Sequence, residues 1–326
     1  MLQPVDSRKL TGEWPIPVVD RANTSRRVRI AASLLQALGK LPGYRGRGLS
    51  IGGSILGKFC RDDELVLSIS PHSRVCVRLS DAYWVRHLVF REPYEPEVFS
   101  ILSRLSLVEQ DVLFVDCGAN CGYWSALCSG EPFNWRCVAL EPSPVVITLL
   151  ERTNVLNGGR FQLEQAAVWD IDGLDMPFRE CAEPAGSHLI TDVATDGGGA
   201  ISVRTTTLDS IVGRHGGGSE LVVVKLDVED TETNAFRGAT ETVARRDVLF
   251  VYEDHGSDPA CRVTRLLLEE LHLNVFHAQA DGTIEHIPTA DSAKAVKTNP
   301  NRGYNFVAVR PDGTFAKRIS EFAGGG

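Results

Sequence analysis

The constraint that most limits this chain's fold is a change of rhythm at Asp111. From there short apolar runs alternate with stretches of helical length. The runs are Val112-Leu-Phe-Val115, Cys137-Val-Ala-Leu140, Phe161 to Val168, Leu221 to Leu226 and Val248 to Tyr252. Helices are expected between them, notably Pro144 to Leu156 and Glu232 to Ala244. Apolar runs without polar alternation are strands covered on both faces, and strands separated by helices build a parallel sheet. The expected fold class is therefore α/β. Before Asp111, one helix is expected from about Thr24 to Leu38, closed by Gly39. Glu64 to Ser70 and Arg74 to Leu79 alternate at period two around a Pro71-His72-Ser73 turn, which predicts a small β region.

The chemistry concentrates in Val115-Asp-Cys-Gly-Ala-Asn-Cys-Gly-Tyr-Trp124, which follows the first strand of the sheet and opens a helix. A strand ending in a glycine turn lets backbone amides approach a nucleotide-like ligand. Glu141, followed by Pro142, ends the next strand, where a carboxylate can accept hydrogen bonds from both ribose hydroxyls. Together they point to an adenosine cofactor. A dinucleotide turn needs Gly-x-Gly-x-x-Gly, but counting from Gly118 puts Asn120 and Tyr123 at the second and third glycine positions. Asp116, just before the turn, opposes phosphate and suits a cation. S-adenosylmethionine, with a sulfonium and an ammonium and no phosphate, meets both conditions.

Asp116-x-Gly118-Ala119-Asn120-x-Gly122, Glu141-Pro142 and Lys225-Leu-Asp227-Val-Glu229 together resemble the FkbM family of S-adenosylmethionine-dependent methyltransferases. The resemblance runs from about Tyr94-Glu95 to Asp254 and resumes at Asn305-Phe306. It implies a class I methyltransferase (Rossmann-like) fold, a mostly parallel seven-stranded sheet with a reversed final hairpin and helices on both faces. It also implies small-molecule acceptors, often hydroxyls of natural products or sugars. Carried over by position, Asp116, Gly118, Ala119, Asn120 and Gly122 line the cofactor, and Glu141 holds its ribose with Pro142 and Ser143 alongside. Glu95 and Asp170 are placed at the cofactor's edge, and Asp227 between methyl donor and acceptor. One departure is Asp230, where the family usually has glycine.

The acceptor side is expected to be acidic: Asp227, Glu229, Asp230, Glu253 and Asp254 stand at the ends of neighbouring strands. Glu232 belongs to the first turn of a helix, where the macrodipole favours an acid. Glu229, Glu253 and His255 are the candidate catalytic groups, with His255 the preferred base and His188 a second substrate-side histidine. A hydroxyl acceptor would use the base, whereas a guanidino or amino acceptor would be held by the carboxylates. The acids allow a metal ion but demand none, and none is assigned. A scaffold that binds adenosine without catalysis is the alternative of another class.

Charge and composition exclude other classes. The chain carries 34 Lys and Arg against 42 Asp and Glu, a formal net charge of −8, which disfavours nucleic acid as a partner. No apolar stretch approaches the roughly 18 residues of a membrane span, and the first 30 residues show no export signal. Eight cysteines without a Cys-x-x-Cys pair read as reduced thiols in a cytoplasmic protein. The expected organisation is residues 1–95 as a helix and small β region covering the acceptor side or forming a homodimer contact. Residues 96–315 form the cofactor-binding domain, and 316–326 a flexible tail.

Overall fold

The apolar runs pair edge to edge in the computed structural model, which describes residues 15–40, 64–181, 186–191, 199–300 and 302–324. Cys60 lies outside the described residues. In chain order, β1 (Val18–Val19), β2 (Glu64–Ser70) and β3 (Ser73–Arg78) form a three-stranded antiparallel sheet. β4 (Val112–Cys117), β5 (Arg136–Leu140) and β6 (Phe161–Glu164) begin the large sheet. β7 (Ala167–Val168), β8 (Asp175–Arg179), β9 (His188–Leu189) and β10 (Ile201–Thr206) form a third sheet of order β7-β10-β8-β9. The large sheet is completed by β11 (Leu221–Leu226), β12 (Asp247–Glu253), β13 (Asn274–Ala278), β14 (Ile284–Ile287) and β15 (Asn305–Val309). Its order is β14-β13-β15-β12-β11-β4-β5-β6.

From β6 to β12 the pairing is parallel, and β15 runs against both of its neighbours. This is the class I methyltransferase arrangement. The sheet has eight strands rather than seven, because β14 pairs antiparallel with β13 at the edge. Strand order reverses between β4 and β11, so the two halves part there and leave a crevice at the carboxyl ends of the strands. Register fixes what faces it: Lys225 lies opposite Asp116 on one side and Val251 on the other.

Each face of the sheet has its own core. One joins Phe114, Val223 and Val251 to Val28, Leu65, Val77, Trp84 and Ile101. The other packs Leu113, Val224 and Phe250 against Ile211, Phe236 and Leu267. The N-terminal helix Arg26–Leu38 and the small sheet thus belong to the same hydrophobic core as the large sheet.

Three expectations are corrected. The run from Phe161 to Val168 is two strands in different sheets, since Ala167 and Val168 leave β5 and pair with Thr205 and Thr206. The stretch Glu232 to Ala244 is two short helices, Glu232–Arg237 and Thr240–Arg245, separated at Gly238. Residues 316–324 are not a flexible tail: Thr314–Gly324 is a helix with Phe315 and Ile319 fully buried. Phe315, Ile319 and Phe322 recur at i, i+4 and i+7, one face of a helix, which is why this segment docks. Phe315→Ala is expected to cost about 3–5 kcal/mol in urea unfolding. A change within experimental error would return the segment to a loosely held tail.

Candidate active site

The site grows out of the turn after β4. Gly118 has φ +76, and a Cβ there would lie 1.9 Å from the Asp227 carbonyl oxygen. Only glycine lets the ends of β4 and β11 approach so closely. The Gly118 and Ala119 N–H groups donate to the Leu140 carbonyl, tying the turn to the end of β5. Asn120, in the left-handed region at φ +51, donates its N–H to Glu141 Oε2 at 3.0 Å. Ser143 N–H donates to Glu141 Oε1 at 3.0 Å. The carboxylate is therefore aimed by backbone on both sides. Burial pushes its pKa up to about 7, the two N–H bonds opposing the shift.

Asp116 is buried beside this turn, and its Oδ2 accepts from Ser125 N–H at 2.9 Å and Ser125 Oγ at 2.6 Å. Burial raises its pKa, and the nearby Lys225 charge works against that. Lys225 Nζ donates to Asp227 Oδ2 at 2.9 Å and lies 3.5 Å from Glu95 Oε2. Its side chain is only 4% exposed. Burial alone would lower a lysine pKa; Asp227, Glu95 and Asp116 override it and hold the ammonium above its ordinary value. Glu95 also accepts from Trp124 Nε1 at 2.6 Å.

Glu229 and Glu253 complete the acidic side. Burial, then the Asp227 charge, pushes Glu229 up to about 7 and Glu253 up to about 8. Glu95, Asn120, Glu229 and Asp230 all have positive φ. Strained non-glycine backbone of this kind gathers at functional sites.

One cleft brings together Glu95, Asp116, Gly118, Ala119, Asn120, Glu141, Pro142, His188, Asp227, Glu229 and Glu253. Other expected site residues fall elsewhere. Gly122 faces the helix Val146–Leu156, where a Cβ would come 2.5 Å from Leu150 Cδ1, so it serves packing. Ser143 turns its hydroxyl to the Val145 and Val146 N–H groups at the start of that helix and to Glu180. Asp170 accepts from Asn234 Nδ2 at 3.2 Å and does not line the cleft. Asp254 lines not the cleft but an adjoining groove, and forms a buried ion pair with Lys297 at 2.6 Å and accepts from Thr264 Oγ1. Asp230 and His255 line the same groove, which shares Asp227, Glu229 and Glu253 with the cleft. His255 Nδ1 is 2.6 Å from Ser257 Oγ there.

Sequence reasoning missed two parts of the cleft. Lys225 carried a signal, being a charged residue inside an otherwise apolar strand run, where a buried charge demands partners. Tyr83 and Trp84 join Tyr94, Tyr123 and Trp124 in an aromatic wall; no local pattern marks the first two, because the helix Ala82–Phe90 reaches the site only through the tertiary fold. Among the described residues no group of His, Cys, Asp and Glu is arranged to hold a metal ion, and no helix is long and apolar enough to cross a membrane.

A model of the methyltransferase FkbM domain matches residues 116–277. No curated protein matches the chain. Similar solved structures include cofactor-bound Rv0187 from MTB, at 12% identity and TM-score 0.37, covering 88% of this chain and 91% of that one. A SAM-dependent methyltransferase from Agrobacterium tumefaciens is similar at 8% identity and TM-score 0.38, with 76% and 70% covered. A precorrin-6y C5,15-methyltransferase from Geobacter metallireducens GS-15 is similar at 13% identity and TM-score 0.35, with 67% and 89% covered.

The cofactor of such a domain is S-adenosylmethionine, and the residues present fit it. Glu141 is held in the cleft by two backbone amides and would there meet a ribose diol, Gly118 lets the ends of β4 and β11 close on one another, and the cleft holds more carboxylates than cations to face a positive ligand. Glu141→Ala is expected to weaken S-adenosylhomocysteine binding about ten- to hundred-fold in calorimetry, the loss of charge-assisted bonds to two hydroxyls. Unchanged affinity would remove Glu141 from the ribose.

Proposed function

Residues 116–277 belong to the FkbM methyltransferase family, and from that premise we propose methyl transfer to a hydroxyl oxygen of a small molecule. The acceptor class is a natural-product intermediate, the family's usual kind. One observation carries the choice of oxygen: Glu229 and Glu253 lie in the cleft with pKa values raised to about 7 and about 8. A base is most effective when its pKa lies near the working pH, and a hydroxyl must lose a proton as its oxygen is methylated.

S-adenosylmethionine, when bound, supplies a methyl group on cationic sulfur. The chain's own residues do the rest. Glu141 holds the ribose, the backbone of Gly118 to Asn120 shapes the turn beneath the ligand, and Asp116 and Asp227 offset positive charge. Positioning is the larger contribution, because a displacement at carbon depends on alignment of the reacting atoms. Glu229 or Glu253 takes the hydroxyl proton on a carboxylate oxygen. His255, the base expected from sequence, lies beside Ser257 in the adjoining groove, and the role passes to the carboxylates.

A second reading, transfer to nitrogen of a cationic guanidino or amino compound, is favoured by charge. Lys225 is the only Lys or Arg among the described residues lining the cleft, against Glu95, Asp116, Glu141, Asp227, Glu229 and Glu253. A cytoplasmic setting is supported by the described cysteines, all unpaired and all but Cys181 buried.

The sign of the pH dependence follows from the raised carboxyls. Below their pKa they are protonated and cannot accept a proton, so kcat/KM rises as pH increases through about 7 to 8. Replacing the base, by Glu229→Gln or Glu253→Gln, is expected to lower kcat by about a hundred-fold or more, to abolish that limb and to spare S-adenosylhomocysteine affinity. Full activity in both variants, or turnover confined to cationic acceptors, would sink the hydroxyl reading.

A further inference from the structure

The helix Ala82–Phe90 begins at Asp81, whose side chain accepts from the Tyr83 and Trp84 N–H groups and so fixes where its first turn starts. That turn carries Tyr83 and Trp84 to Tyr94 and Tyr123. Trp84 stacks on Tyr123 with ring centroids 5.6 Å apart and planes 21° apart, and Tyr94 packs on both at 4.8 and 4.9 Å. All four rings line the cleft that holds Asp227, Glu229 and Glu253.

The polar ends of these rings divide sharply. Trp124 Nε1, on the same wall, donates to Glu95. Tyr83 and Tyr94 meet edge to face, with ring centroids 6.1 Å apart. Trp84 Nε1 and Tyr123 Oη are buried and have no hydrogen-bond partner among the described residues. Trp84 is 3% exposed and Tyr123 1%. Packing alone would be served as well by phenylalanine in place of Tyr123, and by a ring without a donor in place of the Trp84 indole. A buried indole N–H or phenol hydroxyl normally finds a partner, and two orphans on stacked rings in one cleft require an explanation.

We propose that this aromatic wall is the acceptor-recognition surface, and that it takes a small molecule with a flat conjugated ring bearing an oxygen that accepts hydrogen bonds from Trp84 Nε1 and Tyr123 Oη. The ring lies against Tyr83, the exposed ring of the wall, by stacking or edge contact. The indole N–H can only donate, so the ligand atom it meets is an acceptor; the Tyr123 hydroxyl can donate as well. Tyr83, 39% exposed, forms the solvent edge of the wall. The proposal rests on the reading of the cleft as the methyl-transfer site, and it adds the acceptor's shape and polar pattern.

The test uses the full chain labelled with ¹⁵N in its tryptophan indoles and saturated with S-adenosylhomocysteine. The probes are 4-hydroxyacetophenone, which has a flat ring and a carbonyl, and myo-inositol, which has hydroxyls but no flat ring. The Trp84 resonance is the one missing in Trp84→Phe. It is expected to shift with 4-hydroxyacetophenone and to stay still with myo-inositol. Trp84→Phe and Tyr123→Phe are each expected to weaken 4-hydroxyacetophenone binding about ten-fold while S-adenosylhomocysteine affinity holds. Equal binding of the two probes, or unchanged affinity in Tyr123→Phe, would overturn the proposal. So would loss of S-adenosylhomocysteine affinity in either folded variant, which would assign the two donors to the cofactor's own carboxylate. Failure of the unmodified protein to bind S-adenosylhomocysteine would instead remove the methyl-transfer reading itself.

Discussion

The buried ammonium of Lys225 is the interaction on which the cleft depends. It sits in β11, in register with Asp116 on β4, and reaches both Asp227 and Glu95. A lone buried charge is costly, and removing one member of a buried pair typically destabilises a protein by about 3–5 kcal/mol. Lys225 therefore requires the acids around it, and they require Lys225. Through Glu95 the same contact reaches Trp124 and the start of the helix Pro96–Ser106. Two strands, one helix and the residues after the glycine turn are thereby held in a single arrangement.

That arrangement leaves an excess of negative charge. Lys225 offsets part of it, and Glu229, Glu253 and Glu141 are held near neutrality by pKa values of about 7 to 8. Such a cleft is balanced to accept a cation. When positive charge arrives, carboxyls that carried protons can ionise, which deepens the attraction. The same property makes Glu229 and Glu253 capable of receiving a proton at neutral pH. In the proposed reaction, binding of the cationic cofactor and removal of an acceptor proton draw on one set of side chains.

Much of this is legible in the sequence, for a definable reason. The run Leu221 to Leu226 is β11 to the residue, because an apolar stretch bounded by polar residues has one way to lie in a sheet covered on both faces. Residues at strand ends are placed by topology, so Asp116, Gly118, Glu141, Asp227, Glu229 and Glu253 meet in the cleft as their positions imply. Asp254 and His255, one and two residues further on, do not. β12 ends at Glu253, and the chain then turns Asp254 toward Lys297 and His255 toward Ser257. Alternation and loop direction decide such neighbours, and neither is encoded in residue type. Trp84 and Tyr123 are invisible for a related reason: their partnership spans distant parts of the chain and follows no periodic pattern.

The most direct measurement of the central claim is the number of protons exchanged when the cofactor binds, obtained by calorimetry at pH about 7.5 in buffers of different ionisation enthalpy. A cleft of partly protonated carboxyls around a cation-binding space predicts proton release with S-adenosylmethionine. It predicts distinctly less with S-adenosylhomocysteine, which lacks the sulfonium charge. Equal proton exchange with the two ligands would contradict the account, because the carboxylates would then not be sensing the charge that this cleft is built to receive.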